Sequence, residues 1–131
     1  MREEITDITR ILIVEGEPNL RRELTSVLTE AGFTVADACD YPYALIVSEV
    51  FNPDIAIVDE VLPSGDGKDA CSRLHNIFSI PVILLGKDSG GEAWARAVEA
   101  GADLYLTKPG HHQELIARVK AILRRYKQAP A

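Results

Sequence analysis

Short unbroken apolar runs alternate along this chain with longer stretches in which apolar residues recur every three or four positions. The first run, Ile11-Leu12-Ile13-Val14, is rich in β-branched residues and predicts a buried strand. Pro18 then opens a helix carrying Leu20, Leu24, Val27, Leu28 and Ala31, which Gly32 ends. Thr34 to Ala38 reads as a second strand, and Asp40 caps a second helix, with Pro42 in its first turn and Ala44, Leu45, Val47 and Val50 as its apolar positions. Ile55 to Val58 is a third strand. The turn Ser64-Gly65-Asp66-Gly67 leads into a helix with Ala70, Cys71, Leu74 and Ile77 inward. Pro81 to Leu85 is a fourth strand, followed by a helix with Trp94, Ala97 and Val98 that closes at Gly101. Leu104 to Leu106 is a fifth strand, and the last helix carries Leu115, Ile116, Val119, Ile122 and Leu123.

Strands that are apolar throughout, each followed by a helix, imply a parallel sheet covered on both faces. The expected architecture is a doubly wound α/β fold, a five-stranded (βα)5 sandwich of flavodoxin-like order 2-1-3-4-5, forming one domain over 1–131 with a core of about 10–126 and flexible ends. In such a sheet, ligand chemistry belongs at the carboxyl ends of the strands, beside the switch point between the first and third. Those ends carry Glu15, Gly16 and Glu17, then Asp59, then Gly86 and Lys87, and finally Thr107, Lys108 and Pro109.

Composition narrows the function classes. With 131 residues, 47% hydrophobic and 26% charged, the chain reads as an ordinary globular protein. Its longest apolar runs are too short to span a bilayer and its charged start is no signal peptide, so a cytoplasmic location with no membrane partner is expected. A net charge of −6 argues against binding nucleic acid through this domain. Cys39 and Cys71 have no metal-ligand spacing and read as buried thiols.

Carboxylates and a lysine converging on one crevice suit a divalent cation and a phosphoryl group, one carboxylate acting as nucleophile. Five segments in order, Ile11 to Pro18, Pro53 to Asp59, Leu62-Pro63 through Asp66-Gly67, Pro81 to Leu85, and Gly101 to Pro109, resemble the response-regulator receiver family over nearly the whole chain. The resemblance implies that Asp59 accepts a phosphoryl group from a histidine kinase or phosphotransfer protein, and that Lys108 pairs with its oxygens. It also implies that Tyr105 is an aromatic that reorients on activation, and that Mg2+ is held by Glu15, Asp59 and the Val61 backbone carbonyl. Pro109 lowers the cost of a cis bond to about 0.5–1 kcal/mol. The face of the fourth helix, fifth strand and fifth helix is, by the same resemblance, a surface for homodimers.

Two positions depart from the family pattern. Gly16 stands where a second acid ligates the metal, so magnesium binding is expected to be weakened, with Glu15 partly substituting and Glu17 a first-turn residue favoured by the helix dipole. Gly86 stands where a Ser or Thr hydroxyl couples the phosphoryl group to loop movement, so switching loses a contributor. Lys87 beside it is either a solvated lysine or an ammonium directed at Asp59.

Other signals carry less. Asp88-Ser89-Gly90-Gly91 lacks the scaffold of a serine protease, and no nucleotide-cradling glycine motif is present. His75, His111 and His112 have no metal-ligand arrangement, and Trp94 is either core or partner surface. The expectation is a phosphorelay signalling module, not an enzyme, with weakened metal binding and switching. The alternatives are a pseudo-receiver that binds partners without phosphorylation and, more distantly, a small flavodoxin-like enzyme or flavin carrier.

Overall fold

A computed structural model describes residues 9–88, 90–108 and 112–128, with backbone only at 127 and 128. Pro109 and His111 lie outside the described residues, as do Ser89 and most of the ends expected to be flexible. In chain order the elements are β1 (Arg10–Val14), α1 (Pro18–Glu30), β2 (Thr34–Ala38), α2 (Tyr41–Phe51), β3 (Ile55–Asp59) and β4 (Val61–Leu62). There follow β5 (Gly65–Asp66), α3 (Gly67–Phe78), β6 (Val82–Gly86), α4 (Gly91–Glu99), β7 (Leu104–Thr107) and α5 (His112–Gln128). The main sheet runs β2-β1-β3-β6-β7 with all pairs parallel. This is the expected 2-1-3-4-5 order once the small antiparallel hairpin β4–β5 is set apart.

The three inner strands β1, β3 and β6 are apolar almost throughout because both their faces are covered, whereas the edge strand β2 carries exposed Thr34 and Asp37. Leu12, Val14, Ala56, Val58, Val82 and Leu84 face Ala44, Ala70, Cys71, Leu74, Ala93 and Ala97, which come from α2, α3 and α4. Ile11, Ile13, Ile55, Ile57, Ile83 and Leu85 face Leu24 and Leu28 of α1 and Leu115, Val119, Ile122 and Leu123 of α5. Each fully buried aliphatic side chain contributes about 1.5–3 kcal/mol of transfer free energy. α1 ends as expected, with Gly32 at φ 103° just past its cap, and Gly101 takes the same left-handed role after α4 at φ 96°.

Burial corrects the sequence reading on three helices and at one loop residue. Ile77 is exposed, and Phe78, one full turn beyond Leu74, packs on the core in its stead. Val50 is 84% exposed. The buried residue of that turn is Ser48, whose hydroxyl donates to the Ala44 carbonyl at 2.8 Å and so needs no other polar partner. Val98 and Trp94 are half exposed on the outer face of α4, which leaves Ala93 and Ala97 inward and rules out the core reading of Trp94. Cys39 is exposed; only Cys71 is a buried thiol, and burial, with the Asp103 charge, pushes it up to about 12. Among the described residues no helix is long and apolar enough to cross a membrane.

Candidate functional site

The carboxyl ends of β1, β3, β6 and β7 meet at one side of the sheet, and the cleft there is lined by Glu15, Asp59, Gly86 and Lys108 together with the loops that follow. Asp59 is the last residue of β3 and is 6% exposed. Its Oδ2 accepts from Lys108 Nζ at 2.8 Å, and its Oδ1 accepts from the Val61 N–H at 3.1 Å. Lys108 is fixed through its backbone, whose N–H donates to the Gly86 carbonyl at 2.6 Å. The two groups on which the sequence reading depended therefore share one hollow.

Glu15 lies beside them, 1% exposed, its Oε2 accepting from the Glu17 N–H at 3.1 Å. Lys108 Nζ stands 3.8 Å from Oε1, and no N–H or O–H donor of the described residues reaches that buried oxygen. Burial, then the neighbouring Asp59, raises the Glu15 carboxyl from 4.5 to about 7. A proton on Glu15 satisfies the buried oxygen. Burial pushes Asp59 up as well, but the hydrogen bonds from Glu15, Lys108 and Val61 outweigh it and hold Asp59 below the ordinary carboxylate range. The site thus keeps one carboxyl ionised and lets its neighbour carry the proton.

Both unusual glycines are filled spaces. A Cβ on Gly16 would stand 2.9 Å from Pro63 Cδ, so the pyrrolidine ring occupies the ground that a longer residue would need. A Cβ on Gly86 would overlap the Tyr105 hydroxyl and a Glu60 carboxylate oxygen. Tyr105 is buried and donates to Glu60 Oε1 at 3.2 Å, while Glu60 Oε2 faces Lys68 Nζ at 3.5 Å. Gly67 allows the β4–β5 hairpin to close, because a Cβ there would collide with the Asp59 carbonyl.

The remaining sequence candidates fall as follows. Glu17 is the N-cap of α1, accepting from the Leu20 N–H at 2.6 Å, one step before the first turn expected for it. Lys87 lines the cleft but is exposed and makes no ion pair with Asp59. Pro109 lies outside the described residues. His75 Nδ1 is 3.2 Å from the Ile80 carbonyl, and His112 pairs with Glu23 at 2.9 Å. Sequence reasoning missed Glu60, Lys68 and Pro63. A second acid directly after Asp59, answered by a lysine directly after the turn, is the only signal that pointed to the first two.

Magnesium takes near-octahedral oxygen ligands and usually one or two protein carboxylates. Here Lys108 occupies one Asp59 oxygen, burial disfavours the charged form of Glu15, and Gly16 offers no side-chain oxygen. Among the described residues no group of three His, Cys, Asp or Glu side chains is arranged to hold a metal ion. Of the expected donors, Glu15, Asp59 and the Val61 carbonyl are present, and a second acid after β1 is not.

The family model described as the response regulator receiver domain matches residues 11–120. The DNA-binding response regulator MtrA of Mycolicibacterium smegmatis is 37% identical over 122 residues, 93% of this chain and 54% of that protein. Sensory transduction protein RegX3 of the same organism is 39% identical over 118 residues, 90% of this chain and 52% of that protein. The chain thus spans about half the length of these curated relatives. A crystal structure of a two-component response regulator from Clostridium difficile superposes with a TM-score of 0.85 at 30% identity, covering 90% of this chain and 98% of that one.

Proposed function

This chain belongs to the response regulator receiver domain family, a signalling family of two-component systems, and from that premise we propose that Asp59 is its phosphoacceptor and Lys108 the residue that neutralises the transferred group. The observation that carries this reading is the 2.8 Å contact between Lys108 Nζ and Asp59 Oδ2 at the carboxyl ends of β7 and β3. The partner is a histidine kinase or phosphotransfer protein. An Asp59 oxygen attacks phosphorus in line, the N–P bond of the phosphohistidine breaks, and the imidazole leaves. Asp59 is the suitable nucleophile because it stays ionised while Glu15 takes the proton. Lys108 then moves from carboxylate to phosphoryl oxygen, stabilising charge where it accumulates.

Receiver domains bind magnesium at this site; the donor set here supports weakened binding. Residues 10–126 act as one receiver unit. The half-exposed Trp94 and Val98 on α4 support self-association on the α4, β7 and α5 face, which sedimentation of wild type against Trp94→Glu tests, a concentration-dependent shift lost in the variant being expected.

Intact mass after incubation with a small phosphodonor, with and without magnesium, tests the central claim. Wild type is expected to gain one phosphoryl group and Asp59→Asn none, with a smaller dependence on magnesium than a receiver holding two acids after its first strand. No adduct on wild type, even from the cognate kinase, would overturn the phosphoacceptor role and leave the pseudo-receiver reading.

A further inference from the structure

We infer that Tyr105 is latched inward by Glu60 through the gap at Gly86, so that the aromatic is set by this latch and not by the state of Asp59. The inference rests on the receiver reading only in taking Asp59 as the modified residue. Three groups converge on the point where a side chain at position 86 would begin: the Tyr105 hydroxyl, its ring carbon Cζ, and a Glu60 carboxylate oxygen. Any L side chain there would expel the tyrosine or the carboxylate. With glycine in place, the phenol reaches Glu60 Oε1 at 3.2 Å and the ring joins the core on the α2, α3 and α4 side of the sheet.

The acceptor is itself fixed. The Glu60 N–H donates to the Leu85 carbonyl at 2.7 Å, and its carbonyl accepts from the Gly67 N–H at 2.8 Å. Its second carboxylate oxygen faces Lys68, which also pairs with Asp66 at 3.2 Å. Neither oxygen of the Asp59 carboxylate takes part: one receives the Val61 N–H and the other Lys108. A change at one site shifts a conformational equilibrium only through contacts that differ between the two states. With no hydroxyl at position 86, no side chain among the described residues bridges the Asp59 carboxylate to the latch, and a phosphoryl group on Asp59 lacks the hydroxyl-mediated contact through which to favour one position of Tyr105.

The test replaces tyrosine with 3-fluorotyrosine, assigns the Tyr105 resonance with Tyr105→Phe, and reads its burial from the 19F shift between H2O and D2O. A small, buried-type isotope shift is expected in wild type and unchanged in Asp59→Asn and in protein carrying the phosphoryl adduct. Glu60→Ala and Gly86→Thr should raise the shift well toward that of free fluorotyrosine, whereas Glu60→Gln, whose amide oxygen still accepts, should retain the buried value. Gly86→Ala, a smaller change, covers the case in which the threonine variant fails to fold. A solvent-exposed Tyr105 in wild type, a Glu60→Ala variant that stays shielded, or a Tyr105 signal that moves with the adduct would each overturn the latch. The unmodified variants decide the matter even if no adduct forms, so failure of the phosphoacceptor reading is separately visible in the mass spectrum.

Discussion

Glu15 is a carboxyl group withdrawn from water and set against a second carboxyl, and its raised titration has a consequence for stability. It releases its proton at about 4.5 unfolded and about 7 folded, so the folded state binds more protons between those values. Its contribution is fully present below pH 4.5 and is lost as pH rises through about 7, an effect on the order of 1–3 kcal/mol. The depressed Asp59 acts in the opposite sense and only at lower pH, its contribution fading below its ordinary 3.8. Glu15→Gln keeps a donor toward Asp59 and an acceptor for the Glu17 N–H without a proton to lose. Urea denaturation at pH 5 and pH 8 in metal-free buffer should show wild type losing stability across that interval and the variant losing little; equal losses would remove the shared-proton account. The places of Asp59 and Lys108 were legible in the sequence because both lie at the ends of strands and the topology sends those ends to one crevice, while the resemblance to the receiver family singled them out among the residues there. Glu60 was not, since its partners Tyr105 and Lys68 are chosen by how three loops close and no spacing announces that.

The helices show where pattern reading reaches its limit. A residue every third or fourth position identifies a helix and its mean apolar direction, but at the margin of the stripe it cannot separate Ile77 from Phe78 or Val50 from Ser48, and tertiary packing made the choice. The difference is measurable in α3. Leu74→Ala should cost about 2–5 kcal/mol as a cavity in the core, whereas Ile77→Ala, at a position 57% exposed, should change stability by no more than about 0.5 kcal/mol. Comparable losses from the two would mean that α3 is rotated from the orientation described. The inner strands β1, β3 and β6 were easier to read because a parallel strand covered on both faces leaves almost no marginal positions. The exception is the β4–β5 hairpin, whose two-residue strands carry too few residues to show a period of two.

At the scale of the molecule, one sheet separates two packed layers and brings its chemistry to the end where the crossovers change direction. That architecture followed from the alternation of runs and from the handedness of crossovers. The chemical character of the crevice followed only in part, because it depends on segments distant in sequence that touch after folding. Pro63 against Gly16 is such a contact, joining the end of β1 to the loop before α3. Gly16→Asp alone should therefore destabilise the fold by about 1–3 kcal/mol through overpacking, and Gly16→Asp with Pro63→Ala should recover most of that loss in the same denaturation assay. If the single variant were as stable as wild type, the ring would be free to yield.

The seating of proline on glycine also ties together two loops that are far apart in the chain. A side chain at position 16 has to displace the ring at position 63 or the backbone that carries it, so the two positions should answer substitution jointly, with an interaction energy that neither single change would show.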